Sequence, residues 1–142
     1  MIRNISAKQL YKMVEGPEEL ALIDVREEGD FGMAHILLCA NIPLSYLEIR
    51  MPDLVPRKAT PIVICDEDGI DAQTAAQKLE RFGYTDLSVL EGGVKEWGKA
   101  GFEIFSGLNV PSKAFGEFIE HAYGTPSVSA EELKTMMDNK DD

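Results

Sequence analysis

Cys65 is the residue around which group-transfer chemistry could be built. It closes the aliphatic run at 61–65 (PIVIC) and is followed by Asp66-Glu67-Asp68-Gly69-Ile70-Asp71, after which a helical pattern begins near Ala72. A loop between a strand end and a helix can turn its backbone N–H groups inward and form an anion cradle at the helix N-terminus. Such a cradle lowers a thiol pKa and stabilises negative charge on the sulfur or on a group attached to it. The competing reading is an inert strand cysteine, since free Cys is among the most buried residue types. Cys39 lies in the aliphatic run 36–40 and reads as a core residue. Two cysteines are too few for a disulfide scaffold and fit a reduced cytoplasmic setting. With two thiols and two histidines, His35 and His121, at scattered spacing, neither a structural zinc site nor any other metal is expected.

The elements that must position these residues follow from apolar patterning. Residues 20–25 (LALIDV), 61–65 and 87–90 (LSVL) are short, aliphatic and bounded by turn residues, as strands covered on both faces are. At 72–82, Ala72, Ala75, Ala76, Leu79 and Phe82 share one helical face, and Gly83 stands where a helix stops. Alternating strands and helices predict an α/β domain with a mainly parallel sheet, whose chemistry lies beyond the carboxyl ends of the strands. That rule selects Arg26, Cys65 with its loop, and Glu91, Gly92 and Gly93. The two glycines open the helix carrying Trp97, where small residues allow tight turning and close backbone approach.

The two ends of the chain repeat a pattern, Ser-Ala-x-x-Leu-x-x-Met and an apolar residue, at 6–14 and 129–137. Each opens with a capping box, Ser6 with Gln9 and Ser129 with Glu132. The expected organisation is a domain at 1–105, a linker at 106–128 and, at 129–142, the opening helix of a second, truncated domain of the same kind. The linker holds His121, read as solvated, and a possible short helix at 114–123. The alternative is two unrelated helices with ordinary caps. The 142 residues include 25 Asp or Glu against 14 Lys or Arg, a formal charge of −11, which opposes binding to nucleic acid or anionic membranes. No apolar run approaches the roughly 20 residues of a membrane span, and the first residues lack the apolar stretch of a targeting signal.

The segment Leu22-Ile23-Asp24-Val25-Arg26-Glu27 with Phe31, His35-Ile36, Asn41-Ile42-Pro43-Leu44, Ile62-Val63-Ile64-Cys65, Gly83-Tyr84, and Leu90-Glu91-Gly92-Gly93 with Trp97 together resemble a rhodanese domain. The motifs stand in that family's order and spacing over residues 6–105. The resemblance implies a three-layer α/β fold with a central five-stranded parallel sheet flanked by helices. It also implies a sulfurtransferase carrying sulfane sulfur as a persulfide on Cys65, with Cys65 to Ile70 as the six-residue active-site loop. In that scheme the Cys65 thiolate attacks a small donor such as thiosulfate or a persulfide carrier, and a thiol or cyanide accepts the terminal sulfur. The resemblance calls for no cofactor, and further rhodanese domains in the same chain are implied partners.

Asp24 and Arg26 match the family's Asp-x-Arg, read either as a fold-holding ion pair or as a source of positive potential. His35 matches a Gly-His-Ile motif in which Ala34 replaces the Gly, and its imidazole is expected to bond backbone carbonyls beneath the loop. The loop departs from the family pattern. Members that use thiosulfate well commonly carry basic residues there, often an Arg at the position of Ile70, whereas this loop has Asp66, Glu67, Asp68 and Asp71. Carboxylates raise a nearby thiol's pKa and repel anionic donors. Two functions therefore compete: a persulfide sulfurtransferase that is poor with thiosulfate, and a catalytically silent module serving interaction or regulation in a tandem protein. Phosphatase and arsenate chemistry, which need an Arg closing a longer loop, are disfavoured by Asp71.

Overall fold

Short β-branched runs alternate with amphipathic helices, and the computed structural model, which describes residues 1–108 and 128–139, shows how they layer. The chain divides into two units, Met1–Val110 and Pro111–Asp142. The first contains, in order, β1 (Ile2–Ile5), α1 (Ala7–Glu15), β2 (Ala21–Asp24), α2 (Glu28–Met33), β3 (Ala40–Asn41), a 3-10 turn (Leu44–Tyr46), α3 (Leu47–Leu54), β4 (Ile62–Cys65), α4 (Ile70–Arg81), β5 (Leu87–Leu90) and α5 (Gly93–Lys99). The five strands form one parallel sheet in the order β1-β5-β4-β2-β3. β4 is central and every residue in it is buried, so an all-apolar run is what its position requires.

Side chains alternate across the sheet with period two, which divides the core into two layers. Ile23, Ile62, Ile64, Leu87 and Val89 face α3 and α4, packing on Met51, Ala72, Ala75, Ala76 and Leu79. Leu22, Val63, Cys65 and Leu90 face the other way, onto Leu10 of α1 and Val94 and Trp97 of α5. The small residues of α4 let its axis lie close to the sheet, and Tyr84 closes that layer by donating its hydroxyl to the Val55 carbonyl at 2.8 Å. The capping box of α1 is present in full, Gln9 N–H to Ser6 Oγ at 3.2 Å and Ser6 N–H to Gln9 Oε1 at 2.8 Å.

The three strands expected from apolar patterning are β2, β4 and β5. β1 and β3 carry no such signal: β1 is an edge strand containing Arg3 and Asn4, and β3 has two residues. α4 starts at Ile70, two residues before the apolar periodicity does, because loop side chains cap its first turn. In the second unit, α6 (Ala130–Asp138) has the expected capping box and exposes every residue. Most of the expected linker, with His121 and the helix at 114–123, lies outside the described residues.

Candidate active site

The loop 66–71 joins the carboxyl end of β4 to the N-terminus of α4, and its shape is held from two sides. From the α5 side, Val94 N–H donates to the Asp66 carbonyl at 2.8 Å and Lys95 N–H to the Glu67 carbonyl at 3.2 Å. This close approach requires glycine at 93, where φ is +64° and a Cβ would stand 2.5 Å from the Glu67 carbonyl carbon. Gly92 supplies the left-handed turn into α5 at φ +75°. Gly92 and Gly93 thus let the start of α5 lie against the 66–71 loop. At the other end, Gly69 caps α4 with φ +100°.

The amides at the helix end of this loop are bonded from within. Asp66, 2% exposed, turns its carboxylate into the concavity, where Oδ1 accepts the Gly69 N–H and Oδ2 accepts the Ala72 N–H at 3.1 Å. Burial raises the Asp66 pKa above the ordinary carboxylate value, against the bonds from the Ala72, Gly69 and Asp71 N–H groups, which lower it. Asp68 Oδ1 accepts the Ile70 N–H at 3.2 Å from the exposed side. Glu67, Asp68, Ile70 and Asp71 all point to solvent, and Glu67 meets Lys95 at 3.4 Å in an exposed pair.

Cys65 is fully buried, and strand alternation places it in phase with Val63 on the α1/α5 face. Its sulfur lies 3.5 Å from Cys39 Sγ. Two amides at the helix end of the loop, those of Gly69 and Ala72, are thus taken by the side chain of Asp66, the residue that follows Cys65.

Beside the thiols, Asp24 is buried and bound by Arg26 at both oxygens, Nε to Oδ1 at 3.0 Å and Nη2 to Oδ2 at 2.7 Å. Arg26 Nη2 also donates to the Ala34 carbonyl at 2.6 Å. Burial works against the guanidinium charge, yet the bond to Asp24 and its negative charge, with smaller help from Cys65 and Cys39, hold the Arg26 pKa above its ordinary value. The geometry is that of a fold-holding pair, bridging β2 to the end of α2. Cys39 is half-buried at the edge of the core. Burial above all, then Cys65 and the Asp24 charge, push its thiol well above the ordinary value, so it is protonated at neutral pH. The His35 imidazole meets a backbone carbonyl, that of Phe31, through Nδ1 at 2.9 Å, its ring stacks on Phe31, and its backbone pairs with Phe105.

A parallel α/β sheet with a backbone-amide concavity at the end of its central strand defines the class to which this chain is similar. The Rhodanese-like domain family model matches residues 6–100, and the chain belongs to that family. It is similar to a crystal structure of thiosulfate sulfurtransferase from Pseudomonas aeruginosa, with 43% identity and a TM-score of 0.90, covering 97% of this chain and 26% of that one. Protein YqhL of Bacillus subtilis is 39% identical over 83 residues, 58% of this chain and 64% of the relative. The adenylyltransferase and sulfurtransferase MOCS3-1 of Zea mays is 32% identical over 100 residues, 67% of this chain and 21% of the relative. The chain thus spans about a quarter of the Pseudomonas protein and a fifth of the maize one. No helix among the described residues is long and apolar enough to cross a membrane.

Proposed function

We propose that this is a catalytically silent rhodanese-like domain, an interaction or scaffolding unit of a larger, cytoplasmic sulfurtransferase. One observation carries the reading: the Gly69 and Ala72 amides, at the helix end of the loop that follows Cys65, are bonded to the carboxylate of Asp66 and are not free for a persulfide. The Asp66 carboxyl group accepts those amide bonds itself and carries no transferable sulfur. The full burial of Cys65 supports the same conclusion, because its sulfur is not presented at the surface to a donor. Relatives that include sulfurtransferases of several times this length support a place in a larger assembly. In that assembly α6, which repeats the cap and spacing of α1, would open the next unit.

The reading is tested by intact-mass spectrometry after exposure to thiosulfate and, separately, to polysulfide. The expected result is no cyanide-labile sulfur on the native chain, whereas Asp66→Cys, which puts a thiol among the loop amides, gains one. Sulfur loading of the native chain that is lost in Cys65→Ser would instead establish a persulfide carrier on Cys65.

A further inference from the structure

The cradle leaves one cluster of reactive side chains unused. Cys39, Cys65 and Asp24 are far apart in sequence, but the sheet gathers them: Asp24 of β2 stands in register with Cys65 of β4, and Ala40, next to Cys39, stands in register with Ile23. The two sulfurs are 3.5 Å apart, and with an Asp24 carboxylate oxygen they form a set in which all three atoms lie within 4.8 Å of one another. We propose that this set is a binding site for a thiophilic divalent cation of the zinc type.

Three properties support it. First, the spacing fits. An ion bonded to sulfur at ~2.3 Å and to oxygen at ~2.0 Å in tetrahedral geometry needs the sulfurs ~3.8 Å apart and each sulfur ~3.5 Å from the oxygen. The sulfurs must therefore open by only a few tenths of an ångström. Second, the charges close. Asp24 and Arg26 already cancel, so two thiolates formed by release of their protons balance one divalent ion and leave no net buried charge. Third, the oxygen ligand is oriented before any ion arrives: Arg26 grips Asp24 through Nε, Nη2 and its own backbone N–H.

The scattered numbering of the three residues is why sequence spacing argued against a metal; parallel-sheet order, not local sequence, brings them together.

The test is titration of the metal-free chain, kept reduced with a phosphine, with Co(II). The expected result is thiolate-to-cobalt charge-transfer absorption that saturates at one equivalent, is displaced by Zn(II), and is lost in Cys39→Ser. Zn(II) should also raise the melting temperature of the native chain in a concentration-dependent way and leave that of Cys39→Ser unchanged. Should Cys39→Ser fail to fold, the native chain suffices: Zn(II) at saturation should slow alkylation of Cys39 by iodoacetamide at least tenfold. No charge-transfer band, an equal band in a folded Cys39→Ser, or an alkylation rate indifferent to Zn(II) would overturn the proposal.

Discussion

Asp66 carries opposed forces on one side chain, and their balance is measurable. Its folded-state pKa lies above the ordinary 3.8 because burial outweighs the amide bonds. The folded state thus holds the proton more tightly than the unfolded chain, so ionising Asp66 costs stability. That cost is absent below the unfolded value, grows as pH rises from 3.8 through the raised folded pKa, and is complete above it. Replacing Asp66 with Asn removes the titration. The stability of the native chain relative to Asp66→Asn should therefore fall with rising pH across this window and then level off, as read by urea unfolding at a series of pH values. A relative stability that climbs with pH would mean that the amides dominate over burial and that the site prefers an anion outright. General relief of acidic repulsion affects both proteins alike, so the comparison isolates residue 66.

At the scale of the element, the loop is shaped by α5 as much as by α4, and Gly93 is where this shows. Alanine there places a methyl 2.5 Å from both backbone atoms of the Glu67 carbonyl group at a φ of +64°. Neither partner is a flexible side-chain end, so Gly93→Ala should cost about 1–3 kcal/mol, with displacement of the loop. Gly101, with φ +89° and nothing within 4 Å of its Cβ, is the matched control. Gly101→Ala bears only the backbone preference, about 1 kcal/mol. Denaturant unfolding of the two variants separates crowding from conformation. The glycines were legible in sequence because two in succession after an apolar strand have few other uses. So were β2, β4, β5 and the buried face of α4, where apolar spacing reports burial directly. Alternation along β4 also carries the phase of Cys65, in step with Val63 and out of step with the α4 side. What the pattern does not carry is the capture of the Gly69 and Ala72 amides by the Asp66 side chain, which depends on the backbone path of the loop. β1 and β3 escaped for a simpler reason: an edge strand with polar residues and a two-residue strand generate no periodicity.

Across the whole molecule, α1 and α6 form a natural comparison, because each begins with a Ser-Ala capping box and carries Leu three residues after the Ala. Leu10 of α1 is 0% exposed under the sheet, whereas Leu133 of α6 is 49% exposed, beside Met136 and Met137 at 51% and 70%. Helix formation alone does not explain an apolar face on a nine-residue helix, since isolated helices of this length are marginal and packing supplies most of their stability. In the chain as it stands, Leu10→Ala should therefore cost about 2–5 kcal/mol through lost burial and a cavity, and Leu133→Ala should change stability by less than about 0.5 kcal/mol. If α6 opens a further rhodanese-like unit, the second value must change with context. In a polypeptide where such a unit follows, Leu133→Ala should lower that unit's unfolding free energy as Leu10→Ala does for the first, a cost of about 2–5 kcal/mol read from its own unfolding transition. An unaltered transition there would assign the shared cap and spacing to ordinary helix chemistry and leave the apolar face of α6 without a sheet to cover it.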